Sequence, residues 1–483
     1  MAQTIILSWC PGIPNAKTRT IFQRSLGSYR IATSLKSAGY SVAILDAIGY
    51  LTDEQIEKFL NQHIDKDTLW VGFNSTFTSF NDIRFYEIIN NVYDYVKRKN
   101  TKIKILYGGA TTPFTLAFKS IEKIDHYILG NADISIVEVT NLIKNNELVS
   151  KVITSSFFKE PDVNNISTDW SNDRFNILNK ESLPIEFGRG CIFKCKFCAY
   201  DLTGKKKGTY IRDLSQIRDE LILTWEKYGT TNFYFIDDTF NDDNEKMESI
   251  SRMCSTLPFK PNFSCFLRID LLNKFPHQID LLKDMGLTGV FFGIESFHPD
   301  SLKSIGKGLN PNKVKERLYY IREKWKDDVS IGMNFILGLP YDNVKYFEEI
   351  LDWSIQKSCP VQHINFVPLY LQAAGKDNKM LQPYMSEFSI NAKKHGYLFD
   401  DKNQWYSTTN NLNYKICSDI AKEYNIIRDP YQQYADFSIM AMRNLGISNQ
   451  DIFNLTIDDL HKKYNIDKLA SSRFKQYTEK LGL

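Results

Sequence analysis

The 483-residue chain lacks any run of about 18 apolar residues, so no membrane-spanning helix is expected. Its opening Met-Ala-Gln-Thr-Ile-Ile-Leu has neither a basic n-region nor a long apolar h-region, which argues against a secretory signal and for a cytoplasmic protein. An excess of either charge is also missing. Lys and Arg total 60 against 57 Asp and Glu, and the net charge of +3 gives no electrostatic case for nucleic acid or an anionic membrane. No Gly-x-Gly-x-x-Gly follows the first strand, which excludes a nicotinamide domain. Internal repeats and low-complexity tracts are absent, and the seven histidines are isolated. What is there is 43% apolar and 24% charged, the composition of a soluble globular protein, at a length that calls for two or three domains.

The apolar periodicity alternates between strands and helices. Strands are expected at 4–9, 41–46, 68–73, 103–107 and 125–129, with helices at 26–38, 53–62, 80–97, 112–120 and 133–144. Gly39 closes the first helix at a position that needs a left-handed backbone. Such alternation means a doubly wound parallel sheet, with a ligand beyond the strands' carboxyl ends. Those ends are polar or glycine-rich: Asn74-Ser75-Thr76, Gly108-Gly109-Ala110-Thr111 and Gly130-Asn131.

The first domain is therefore set at 1–145, and a polar stretch at 146–182 reads as a linker. A second βα series fills 183–374, with strands at 184–188, 232–236, 262–268, 288–293, 329–336 and 362–367. Its helices are expected at 212–228, 242–256, 275–285, 311–325 and 343–357. Six βα units fit a partial or complete barrel whose active site lies at the strands' carboxyl ends. The remainder, 375–483, is helical by pattern, rich in aromatics, and expected to shape a substrate pocket.

Cysteine is sparse, eight residues in all, yet three of them crowd into positions 191–198. The dispersed Cys10, Cys254, Cys265, Cys359 and Cys417 read as small buried hydrophobes. Cys191, Cys195 and Cys198 directly follow the first barrel strand and read as a metal site. Four irons ordinarily take four thiolates, so three cysteines leave one iron open to an external ligand. A zinc knuckle is the rival reading, although no second ligand half is present.

Gly-Arg-Gly-Cys191-Ile-Phe-Lys-Cys195-Lys-Phe-Cys198, with Phe197 before the last cysteine, resembles the signature of the radical S-adenosylmethionine (SAM) superfamily. Further positions are similar in the family's order. Asp237-Asp238 after the second barrel strand resembles the element at the methionine amino group, and Arg268 an arginine near the SAM carboxylate. Glu295-Ser296 looks like the ribose-contacting position. Phe335-Ile336-Leu337-Gly338-Leu339-Pro340 resembles the adenine-lining element, and Tyr200 a position at the adenine edge. Each has a plainer alternative: a helix N-cap for the aspartates, an ion pair for Arg268, a solvated carboxylate for Glu295, a turn for Gly338.

Residues 1–145 look like the cobalamin-binding domain that precedes the radical domain in one subfamily, which places Asn74, Ser75, Thr76, Gly108, Gly109 and Gly130 at a corrinoid. The Asp-x-His-x-x-Gly motif that supplies a lower cobalt ligand is absent, and Asn131 replaces the usual acidic residue. A Rossmann-like scaffold without ligand is the alternative.

The resemblance implies a [4Fe–4S] cluster that reductively cleaves SAM to a 5′-deoxyadenosyl radical. It further implies cobalamin-dependent methylation of an unactivated carbon or phosphorus centre, and an electron donor such as flavodoxin or ferredoxin. A cobalamin-independent rearrangement or cyclisation, and a zinc-stabilised binding module, are the alternatives. Methylthiolation of transfer RNA is disfavoured, since only Cys10 precedes Cys191.

Overall fold

A computed structural model describes residues 2–9, 24–76, 83–110, 112–118, 121–154, 167–200, 202–206, 208–373, 381–428, 442–443, 445–455 and 457–483. Cys10, Thr111, the stretches 155–166, 375–380 and 429–441, and the ends 80–82 and 119–120 of two expected helices lie outside the described residues. The chain divides into two compact units. The first comprises 1–185, 219–230 and 465–483, and the second 186–218 and 231–464.

The first unit is built on β1 (Thr4–Ser8), β2 (Val42–Leu45), β3 (Trp70–Asn74), β4 (Lys104–Gly108), β5 (His126–Leu129) and β6 (Val152–Thr154). Their order is β2-β1-β3-β4-β5-β6, parallel throughout, so the winding reverses between β1 and β3. The helices are α1 (Leu26–Ser37), α2 (Asp53–His63), α3 (Ile83–Lys99), α4 (Thr112–Phe118) and α5 (Ser135–Lys144). Every residue of β1, β2, β3 and β5 is buried, because helices cover both faces and the strands are near-continuous apolar runs. Thr52 and Gln55 start α2 with a reciprocal capping box, and Gly39 has the expected positive φ of 87°.

Two segments differ from expectation here. The stretch read as a linker contributes β6 and the buried Trp170, Phe175 and Ile177. The helix Ile466–Lys480 belongs to this unit rather than to a C-terminal substrate region. Its Phe474 and Tyr477 join the core of Ile5, Leu45 and Phe59, and Tyr477 Oη accepts from Asp46 N–H at 2.8 Å. Arg24 knits the same corner, bonding Asp46 at 2.9 Å and Glu181 at 2.6 Å while fully buried.

The second sheet runs β12-β11-β10-β9-β8-β7, an open partial barrel. Its strands are β7 (Leu183–Glu186), β8 (Asn232–Ile236), β9 (Asn262–Leu267), β10 (Leu287–Glu295), β11 (Ser330–Leu337) and β12 (His363–Pro368). Most of α6 (Leu214–Tyr228) belongs to the first unit, and around these strands lie α7 (Asn244–Ser255), α8 (Ile269–Lys274), α9 (Gln278–Met285), α10 (Pro299–Ser304), α11 (Pro311–Trp325) and α12 (Val344–Ser354). Burial alternates along β8 and β9. Phe233, Phe235, Phe263 and Cys265 are buried, whereas Tyr234, Ser264 and Phe266 are partly open. One face therefore packs on helices while the other lines an open interior. The helix expected at 275–285 is α9, which starts at Gln278, and a short helix not expected from the pattern, α8, precedes it and stops before Pro276.

Beyond β12 the second unit adds α13 (Glu387–Ile390), a hairpin of β13 (Tyr397–Phe399) and β14 (Trp405–Ser407), and α14 (Tyr414–Arg428). The hairpin was not legible in the helical pattern.

Candidate active site

The parallel register of the second sheet brings the carboxyl ends of β7 through β11 to one edge, where most of the expected residues gather. The cysteine loop follows β7 and is fixed by backbone bonds: Cys191 N–H to Leu202 O, Cys198 N–H to Cys195 O and Lys196 N–H to Ile305 O, each 3.0 Å. All three thiols are half-buried and free. Burial pushes Cys198 up to about 11 and raises Cys191 as well, so a bound metal must displace their protons. Arg268 Nη1 lies 3.7 Å from Cys195 Sγ, and its guanidinium stacks 3.8 Å from the Phe193 ring centroid. Among the described residues no three His, Cys, Asp or Glu side chains are placed to hold a single metal ion. The donor set is three sulfurs of one loop beside a cation, which suits an iron–sulfur cluster.

The two aspartates part company. Asp237 is buried against Lys246 Nζ at 2.7 Å, and its Oδ1 accepts from Thr239 N–H at 3.0 Å. This carboxylate is spent inside the fold, which corrects its assignment to the SAM amino group. Asp238 instead keeps surface open at the strand edge, and its Oδ2 accepts from Gly190 N–H at 3.1 Å. Crowding by neighbouring atoms, and then the Asp237 charge, push Asp238 up to about 6, while the Tyr200 hydroxyl bonds it and opposes that rise. Neither aspartate caps α7. That role belongs to Asp243.

Arg268 follows β9 and forms a two-point pair with Asp270, at 3.0 and 2.9 Å, so the ion-pair alternative and the cysteine contact hold together. Glu295 ends β10 past a register shift, with φ of 70°, a conformation that L side chains rarely adopt. Its Oε1 lies 2.9 Å from Lys307 Nζ, which also donates to Gly293 O and stands 5.9 Å over the Phe197 ring. Ser296 Oγ accepts from His298 N–H at 3.0 Å. Gly338 directly follows β11, with φ of 100°. Sequence reasoning missed Lys246 and Lys307. The first had a signal, its i,i+4 spacing from Asp242, whereas the second had none.

In the first unit Asn74, Ser75, Thr76, Gly108, Gly109 and Gly130 also share one strand edge. Asn74 Nδ2 donates to Ser25 and Ser28 at 2.7 and 2.6 Å, and its Oδ1 accepts from Thr76 N–H at 3.0 Å. Gly109 has φ of 115°, and a Cβ there would come within 2.8 Å of Asn74 Oδ1 and 2.9 Å of the Ser75 and Thr76 nitrogens. Its glycine is thus required by the neighbouring turn. A Cβ at Gly108 would meet nothing closer than 3.8 Å, so that point of the edge is open. His126 opens β5, and the His63 carbonyl accepts from Ala2 N–H beside the start of β1. Both histidines of this unit sit at the opposite edge.

Residues 185–354 match the model of the radical SAM superfamily. An uncharacterised methyltransferase of Pyrococcus horikoshii is 24% identical over 62% of this chain and 66% of its own length. The bacteriochlorophyllide d C-8(2)-methyltransferase of Chlorobaculum tepidum is 24% identical over 74% of each chain. Among solved structures, the radical SAM methyltransferase TsrM from Kitasatospora setae, with tryptophan and a SAM analogue, aligns at a TM-score of 0.64. That alignment covers 96% of this chain and 99% of TsrM at 14% identity. The cobalamin-dependent SAM radical enzyme OxsB, with aqua-cobalamin and SAM, aligns at 0.55 over 82% of this chain and 56% of its own at 15% identity. With the three-cysteine loop, Asp238 and Arg268 already at one barrel edge, residues 185–354 form a radical SAM superfamily domain.

Proposed function

We propose that the enzyme is a cobalamin-dependent radical SAM methyltransferase acting on an unactivated carbon or phosphorus centre. The observation that carries the reading is the convergence of three thiols, Asp238 and Arg268 at one edge of the open barrel. Cys191, Cys195 and Cys198 would hold the [4Fe–4S] cluster. Asp238 would accept from the SAM amino group, and Arg268, neutralised on one side by Asp270, would face the cofactor carboxylate. Bound there, cluster and SAM supply one-electron cleavage chemistry, and a corrinoid supplies a transferable methyl group. An electron donor such as a flavodoxin or ferredoxin would reduce the cluster.

The first unit supports a corrinoid through its winding reversal between β1 and β3 and the open strand edge at Gly108. Its two histidines lie at the other edge, so cobalt would carry no histidine of this unit. The methyltransferase names of the relatives, and the cobalamin bound in TsrM and OxsB structures, point the same way. A scaffold reading is favoured by one feature: Asn74, Thr76 and Gly109 are engaged with each other.

Anaerobic reconstitution with iron, sulfide, SAM, reductant and methylcobalamin, followed by mass analysis, tests the proposal. 5′-Deoxyadenosine together with S-adenosylhomocysteine is expected. Zinc in the cysteine loop with no cluster formed would overturn it, and 5′-deoxyadenosine alone would remove the methyl-transfer half.

A further inference from the structure

Gly338 is held from several sides by chain that follows the barrel. Its carbonyl accepts from Tyr397 Oη of β13 at 2.7 Å. The Trp405 ring of β14 fills the place of a side chain, since a Cβ at 338 would lie 2.4 Å from a ring carbon and 3.1 Å from Cys417 Sγ of α14. Trp405 Nε1 in turn donates to Leu369 O at 2.7 Å, and Asn410 Nδ2 to Asp342 O at 3.0 Å. Tyr397, Trp405 and Cys417 are at most 1% exposed. The turn they enclose contains two left-handed residues, Gly338 at φ 100° and Tyr341 at φ 73°. A non-glycine residue stays there only where its surroundings over-determine it.

Asp342 closes this turn from within. Its Oδ2 accepts from the Gly338 and Leu339 N–H groups at 3.1 and 2.9 Å. Its Oδ1 is 2.9 Å from Ser301 Oγ of α10, and that same hydroxyl is 2.7 Å from Pro340 O. A hydroxyl has one proton, and two acceptors compete for it. If Ser301 donates to Pro340 O, the 2.9 Å contact needs a proton from Asp342.

We infer that β13, β14 and α14 clamp the adenine-facing turn, and that Asp342 serves in the clamp as a neutral carboxylic acid, Asp342 and Tyr397 being positioning residues for SAM. The inference rests on the reading that SAM occupies this barrel edge. Burial pushes Asp342 up to about 7, so the acid titrates near neutrality. His298, at the start of α10, faces the same corner and accepts from Ser301 N–H through Nδ1 at 3.4 Å, whereas the tyrosines and the thiol that face Asp342 stay neutral there. Burial raises Tyr346 of α12 and Tyr397, and lifts Cys417 to about 12. Raising the pH through 7 ionises Asp342, breaks its donation to Ser301 and loosens the turn.

Asp342→Asn reproduces the neutral acid, with an amide N–H toward Ser301 and a carbonyl toward the two backbone amides. SAM affinity of the cluster-reconstituted enzyme is measured from pH 6 to 8.5 for wild type, Asp342→Asn and Tyr397→Phe. Cluster absorbance verifies equal loading. The ratio of wild-type to Asp342→Asn dissociation constants is expected near one at pH 6. It should rise by about three- to tenfold at pH 8.5, the worth of one hydrogen bond. Taking the ratio cancels the titration of SAM's own amino group. Tyr397→Phe should weaken SAM by a similar factor at every pH. If wild type binds SAM but the ratio is flat and Tyr397→Phe is unchanged, the clamp is wrong. If loaded wild type binds no SAM at any pH, the underlying functional reading fails instead.

Discussion

Lys246 Nζ lies 2.7 Å from Asp237 Oδ2 and 2.9 Å from Asp242 Oδ1, with all three side chains at most 1% exposed. One buried ammonium thus answers two carboxylates, and adjacent aspartates acquire different work. Asp237 is structural, and Asp238 faces the open edge. Removing one partner of such a pair leaves charge stranded in a low dielectric. Asp237→Ala should therefore destabilise the apoprotein by about 3 kcal/mol in urea unfolding.

Asp238→Ala should do the reverse. Unfolding should shift by less than about 0.5 kcal/mol, as for other substitutions at the surface. SAM affinity should fall roughly ten- to a hundredfold, the value of a charge-assisted hydrogen bond. Equilibrium binding to the reconstituted enzyme checks this, and unchanged affinity would remove Asp238 from the SAM site.

Cys198→Ala should abolish cluster absorbance and SAM cleavage together, and Cys191→Ala and Cys195→Ala should match it. Cys254→Ala and Cys417→Ala should retain the cluster, because these buried thiols belong to the packing. Iron and sulfide analysis of the five variants separates the two groups.

Lys307→Met removes the ammonium that bonds both Glu295 and Gly293 O. Glu295 at φ 70° then loses its anchor, and SAM affinity should weaken by about tenfold for a charged hydrogen bond lost. Loading of the cluster should be unaffected, since among the described residues Lys307 meets the cysteine loop through the Phe197 ring and not through a thiol.

Gly109→Ala should destabilise the first unit by about 1–2 kcal/mol from its left-handed backbone alone, before the clash with the Asn74–Thr76 turn is added. Gly108→Leu is the sharper probe of the corrinoid, because a Cβ is tolerated there. It should fold normally and lose corrinoid on gel filtration. Retention equal to wild type would place the corrinoid elsewhere.

Stability should also respond to Asp342. Its folded pKa, about 7, is raised above the ordinary carboxyl value, so its contribution is complete at acid pH and is lost as pH rises through 7. The difference in melting temperature between wild type and Asp342→Asn, followed from pH 5 to 8.5, isolates this group. It should widen from pH 5 to about 7 and level off above, where both the folded and the unfolded carboxyl are ionised.

The sequence by itself determined both parallel sheets, because fully buried strands such as Thr4–Ser8 and capped helices such as Asp53–His63 are set by local runs and caps. It also determined the cysteine loop, whose three thiols lie within eight positions. Tertiary structure alone decided which aspartate faces the open edge, since the choice depends on Lys246 reaching back from α7 to Asp237. It alone brought Lys307 to Glu295 across a left-handed turn, returned Tyr477 to Asp46 across 431 positions, and set Tyr397 and Trp405 against Gly338. Periodicity reports which face of an element is apolar. It is silent about which distant side chain will meet that face, and those pairings arise only when burial forces each enclosed polar group to find a partner.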